Sequence, residues 1–178
     1  MIIGRKAVLA EILAAIGPAP QRVAFSGPPA LGQVLAQSGH VTYACGQRVT
    51  RFATARRRAQ KTKTATFEVL RAKQQHLPVR DGTLDAVVFA GALPAQPEAI
   101  IAEWERAIRD GGRVVVAGSV RAGWGARLRA RLGGAKLRPL RAQDYTRLLL
   151  CGGFADISQV WPRGSLVLTA ARARKVAG

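Results

Sequence analysis

Two nearly unbroken apolar runs, Leu84-Asp85-Ala86-Val87-Val88-Phe89 and Arg113-Val114-Val115-Val116-Ala117, constrain this chain more than any other feature. A strand that is apolar at successive positions buries both faces, which happens when helices cover the sheet on each side. Between the runs, Ile100, Ile101, Trp104 and Ile108 recur at three- and four-residue steps after Pro97, and Asp110-Gly111-Gly112 reads as the end of that helix. Strand, helix and strand in this order make a crossover unit, so the two strands are expected side by side and parallel.

The rest of the chain repeats the alternation. Val8, Leu9, Ile12, Leu13 and Ile16 mark a first helix over 6–16, stopped by Gly17-Pro18. Strands are expected at 22–25, 41–44 and 66–70, with a small-residue helix reaching Gln37 and another helix carrying Val49, Phe52, Ala55 and Ala59 on one face. Beyond the second apolar run come a basic helix at 126–132, a helix at 143–150 closed by Gly152-Gly153, and two strands at 157–161 and 166–169. The fold class is α/β: a doubly wound, mostly parallel sheet with helices on both faces and an antiparallel edge strand. At 178 residues the chain fits a single domain: an N-terminal helix at 1–17, an α/β core at 22–172 and a basic tail at 173–178.

Charge is the compositional anomaly. Lys and Arg number 28 against 10 Asp and Glu, giving a net charge of +18, which favours a polyanionic partner. The basic residues are segregated. Arg51, Arg56, Arg57, Arg58, Lys61 and Lys63 form one acid-free run, and Arg121, Arg127, Arg129, Arg131, Lys136, Arg138 and Arg141 form a second, interleaved with glycines. The competing reading is a solvated helix face, and it suits the first run better than the second.

Other classes are excluded. A hydrophobic content of 48% is too high for disorder. Cys45 and Cys151 stand far apart and, with His40 and His76 equally isolated, offer no metal-ligand spacing. They read as reduced core thiols of a cytoplasmic protein. Glu11 interrupts the N-terminal apolar stretch, which argues against a signal peptide, and no run is long enough for a membrane span. Trp104 falls on an inner helix face, whereas Trp124 and Trp161 lie in Gly- or Pro-flanked loops.

The stretch Leu77-Pro78-Val79-Arg80-Asp81-Gly82-Thr83-Leu84-Asp85, followed by Gly91-Ala92-Leu93 and by Asp110-Gly111-Gly112 before the next strand, resembles class I S-adenosylmethionine-dependent methyltransferases. Gly152-Gly153-Phe154 is similar to a later turn of that family, so the resemblance runs from Arg22 to Arg172. It implies a methyltransferase-like Rossmann fold, with the cofactor held at three places: a glycine loop with an acid after the first strand, an acid closing the second strand, and an Asp ahead of the Leu-Pro element. The equivalents here are Phe25 with Gly27 and Gly32, then Cys45, then Lys73. Pro28 and Pro29 also occupy the loop, Gln47 could accept from only one oxygen, and Lys73 is a donor facing a donor. These positions read as degenerate, and no cofactor is expected. Residues 91–97 contain no titratable group, and Asp81 and Asp85 read as local turn and loop partners, so no catalytic residue is assigned.

The expectation is therefore a non-catalytic methyltransferase-fold protein that binds nucleic acid, or an assembly containing it, through the two basic runs. A methyltransferase with a divergent cofactor pocket, using S-adenosylmethionine, is the first alternative. An adaptor for an acidic protein is the second.

Overall fold

The computed structural model describes residues 2–61, 65–91, 93, 97–118, 142–162 and 165–172. In chain order the elements are α1 (Ile2–Ile16), β1 (Arg22–Ser26), α2 (Pro29–Gln37), β2 (Val41–Gly46), a 3-10 turn (Val49–Phe52), α3 (Ala53–Gln60), β3 (Thr66–Arg71) and β4 (Leu84–Ala90). They continue with α4 (Glu98–Ala107), β5 (Ile108–Gly118), α5 (Ala142–Cys151), β6 (Phe154–Val160) and β7 (Leu166–Arg172). The expected basic helix at 126–132 and the tail at 173–178 lie outside the described residues.

The strands form one seven-stranded sheet in the order β3-β2-β1-β4-β5-β7-β6. β1 pairs in parallel with β2 and β4, β2 with β3, and β4 with β5. β7 runs antiparallel to both β5 and β6, so the reversed strand lies one place in from the edge. Alternate side chains of the central strands feed two separate cores. Val23, Phe25, Val88 and Val115 pack with Ile12, Leu35, Phe52 and Ala59 from α1, α2, the 3-10 turn and α3. Val87, Phe89, Val114 and Val116 pack with Ile100, Trp104 and Leu149 from α4 and α5. Trp104 is fully buried, its ring 5.6 Å from that of Phe89. This double burial is what the apolar runs demanded.

The boundary that differs most from expectation is the start of β5. Ile108 does not extend the helix: its backbone is extended (φ −80°, ψ 137°) and it pairs with Leu84 as the start of β5. Asp110-Gly111-Gly112 is then an irregularity inside the strand, with Gly111 at φ +73°, where a glycine is favoured. Asp85 stabilises this end of the sheet, accepting the Arg22 amide at 2.7 Å and the Arg109 Nε at 2.5 Å. Its partners are therefore distant in sequence, not the local loop groups expected of it.

Candidate functional site

The sheet order reverses direction at β1, which lies between β2 and β4, and the helices that follow these strands cover opposite faces. A crevice opens at the carboxyl ends of the strands at such a point. Four chain segments border it: Ser26-Gly27-Pro28 after β1, Gly46-Gln47 after β2, Lys73-Gln74 after β3, and Gly91 after β4.

The segment after β1 is tight. A Cβ on Gly27 would sit 2.8 Å from the Cβ of Ala90, so only glycine lets β1 and β4 close at this point. Pro28 lies in extended backbone and Pro29 is the first residue of α2, where a missing N–H leaves no helical hydrogen bond unmade. The two prolines shape the entry to α2 and do not distort it. Phe25, at the place of the family's acid, points away from the crevice into the core below α2. Its ring lies so close to Gly32 that a Cβ there would be 2.8 Å from Phe25 Cδ1.

Two side chains cross this edge: Arg51, expected only as part of the first basic run, and Gln74, which the sequence reading did not single out. The Arg51 guanidinium, from the 3-10 turn, donates to the Gly27 carbonyl and lies 4.7 Å from the centre of the Phe52 ring. The Gln74 Nε2 donates to Ser26 Oγ at 2.8 Å. Lys73, the position matched to the family's Asp, is exposed, and its carbonyl accepts the His76 amide at 3.1 Å. Gln74 is partly buried where Lys73 is not; the chain turns the next residue inward. A polar amide beside the matched position was the available signal.

Cys45 is buried, and its thiol donates to the Tyr43 carbonyl within β2. Burial pushes its pKa up to about 12, so it is neither a thiolate nor a ribose acceptor. Cys151, expected in the core, is exposed. His40, immediately ahead of β2, is buried and remote from the crevice, with Nδ1 unpartnered, and burial holds its pKa below the usual value.

The walls of the crevice are braced from α4 and α5. Glu103 accepts the Leu77 amide at 2.6 Å and the Arg106 guanidinium at 2.7 Å. Arg106 also donates to the Val79 carbonyl and to Asp81, fastening the segment between β3 and β4 to α4. The hydrogen bond from the Arg106 guanidinium, helped by that from the Leu77 amide, holds the Glu103 carboxyl below its ordinary range against the opposing effect of burial. Tyr145 of α5 is buried; burial raises its phenol pKa, while the Leu93 amide, hydrogen-bonded to it, works in the opposite sense. That contact fixes the segment after β4.

Of the first basic run, Arg56 and Arg57 line an open cleft of about 600 Å³ beside β3, while Arg58 and Lys61 are exposed elsewhere on α3. Lys63, Trp124 and all of Arg121, Arg127, Arg129, Arg131, Lys136, Arg138 and Arg141 lie outside the described residues. Trp161 is exposed. Among the described residues no helix is long and apolar enough to cross a membrane, and no three His, Cys, Asp or Glu are grouped to hold a metal ion.

Comparison with known proteins adds to this geometry. A sequence profile described as "Methyltransferase domain" matches residues 26–116, from the end of β1 into β5. No curated protein sequence matches the chain. Among solved structures, geranyl diphosphate C-methyltransferase from Streptomyces coelicolor A3(2), in complex with S-adenosyl-L-homocysteine, is similar with a TM-score of 0.75 and 11% identity, over 95% of this chain and 81% of that one. Magnesium protoporphyrin IX methyltransferase from Synechocystis PCC 6803, with the same product bound, gives 0.70 and 19% over 96% and 84%. A SAM-dependent methyltransferase from Thermotoga maritima gives 0.68 and 16% over 96% and 91%. At such identities the structural likeness shows the fold.

The expectation of a non-catalytic polyanion binder without a cofactor is overturned by the profile match, which spans the strands that carry the crevice. The error has a physical cause. Three missing acceptors are given more weight than the order of motifs from Leu77 to Gly112, which lies wholly within the matched residues.

Proposed function

Because the chain belongs to the methyltransferase domain family, we propose that it is an S-adenosylmethionine-dependent methyltransferase with its cofactor across the carboxyl ends of β1, β2 and β4. The observation that carries this reading is the coincidence of the profile match with a crevice edged by Ser26, Gly27, Arg51 and Gln74.

The donor set fits the cofactor. A carboxamide offers both an acceptor and donors, which suits the amine and ring nitrogen of adenine, and Gln74 has its Oε1 left over after bonding Ser26. The Arg51 guanidinium suits the carboxylate of the methionine moiety. Gln47, exposed at the end of β2, supplies one acceptor for the ribose. When bound, the cofactor supplies an electrophilic methyl group on a sulfonium to a nucleophile of the substrate.

What the chain contributes is placement. Segment 91–97 has no titratable side chain, so its own contribution is to position the substrate. Tyr145, kept neutral by burial, holds the Leu93 amide in place, and the Glu103–Arg106 pair holds the facing segment. Calorimetry with S-adenosylhomocysteine tests the proposal. The wild-type protein should bind, and Gln74→Ala and Arg51→Ala should each weaken binding about tenfold, the scale of one charge-assisted or well-placed hydrogen bond. A folded protein that ignores the ligand at about 1 mM refutes it.

A further inference from the structure

On α3, Ala55 and Ala59 are buried against the sheet, whereas Arg56, Arg57 and Gln60 face an open cleft. Its other lining comes from Val49 and Thr50 of the 3-10 turn, Ala53, and Val69 and Arg71 of β3; the volume is about 600 Å³. Three arginines, all exposed, therefore line one concavity together with Val49, Ala53 and Val69. The nearest acid is Glu68, 3.8 Å from Arg56 and itself half exposed. Among the described residues neither Arg57 nor Arg71 meets a carboxylate. Between Gln47 and Lys73, Glu68 is the single acid against nine Lys and Arg. Charges of one sign gathered around one concavity repel each other, and an anion that joins them relieves the repulsion.

The geometry points to a second ligand site here, one that takes a phosphorylated small molecule carrying a diphosphate or a comparable pair of anionic groups. Guanidinium forks match phosphate oxygens in pairs, and the volume falls in the range of small-ligand pockets. Val49, Ala53 and Val69 offer a flat apolar contact for the rest of the molecule. This site is distinct from the cofactor crevice. The 3-10 turn lies between them: Thr50 lines the cleft, and Arg51 bonds the Gly27 carbonyl on the other side. The inference goes beyond the methyltransferase reading and does not depend on it.

The test uses inorganic pyrophosphate and UDP, the latter because it lacks adenine, titrated into the full chain at low salt. Both should bind, and Arg71→Gln and the Arg56→Gln/Arg57→Gln pair should each weaken binding about tenfold. Arg58→Gln, on the same helix but outside the cleft, should leave affinity unchanged within about twofold, and Glu68→Gln should tighten it. S-adenosylhomocysteine binding by Arg71→Gln, measured in parallel, separates the two sites: it should match that of wild type, and its loss together with that of the probes would make cleft and crevice one site and overturn the inference. Three further results overturn it. One is no binding of either probe by the wild type at about 1 mM. Another is Arg58→Gln weakening binding as much as Arg71→Gln, which would mean diffuse charge. The last is an oligonucleotide that binds while both small probes are ignored.

Discussion

Replacing Gly32 by alanine tests whether Phe25 belongs to the core or to the ligand site. The added methyl would lie 2.8 and 2.9 Å from two carbons of the Phe25 ring and 3.1 Å from Phe67 Cε2, well inside the roughly 3.5–4.0 Å of a relaxed carbon contact. Overpacking of this kind destabilises by about 1–3 kcal/mol, and the helix propensity of alanine over glycine returns about 1 kcal/mol. Gly32→Ala should therefore lose up to about 2 kcal/mol net. Phe25→Leu alone should lose a similar amount, because the ring is 1% exposed and fills the space below α2. In the double variant the ring atoms that clash are gone and the propensity gain survives, so the loss should fall short of the sum by about 1 kcal/mol. Urea unfolding followed by circular dichroism, with midpoints compared at constant m, measures all four corners of the cycle. Additivity within about 0.3 kcal/mol, or a Gly32→Ala protein more stable than wild type, would refute the packing account. It would also reopen Phe25 as a residue of the crevice.

Two further outcomes are expected. Burial keeps the His40 pKa below 6.5, so the unfolded chain takes up a proton that the folded chain resists. The stability from neutral His40 is present above about pH 6.5 and declines as pH falls toward the lower folded value. Urea midpoints at about pH 7.5 and 5.5 should drop more for wild type than for His40→Phe, and equal drops would contradict this. Ellman's reagent should titrate Cys151 in the native protein and Cys45 only on unfolding, since the first is exposed and the second is a buried thiol with a pKa of about 12. Two fast equivalents from the native state would be the wrong result.

The alternation of strands and helices was legible because burial on both faces leaves a residue-by-residue trace, as in Val87, Val88 and Phe89. Ile108 was misplaced because its spacing from Trp104 continues a helix, and nothing local reveals that Leu84 will pair with it. Cys151, expected in the core, is exposed for a related reason: one cysteine on a helix end carries no periodicity, so tertiary neighbours decide its exposure. The crevice was harder still. Its polar contacts, Arg51 to Gly27 and Gln74 to Ser26, span 24 and 48 residues, and a motif comparison sees each position singly. Recognition by type at a fixed position missed groups that the fold delivers from neighbouring positions.

The insertion of β7 between β5 and β6 has a consequence for synthesis. β6 leaves the ribosome before the strand that is its partner, and β5 likewise waits with one edge unpaired. During that interval Val114, Val115 and Val116 stand at an open edge, a segment rich in β-branched residues of the kind that pairs between chains. The parallel half, from β3 to β5, can assemble as it emerges, but the sheet closes only when Leu166–Arg172 threads into place. Arg172 then reaches Glu105 at 2.8 Å and the Ile108 carbonyl, joining the last strand to the helix that precedes β5. Emergence of β7, later in translation than both of its neighbours, sets the moment at which this edge ceases to be a hazard.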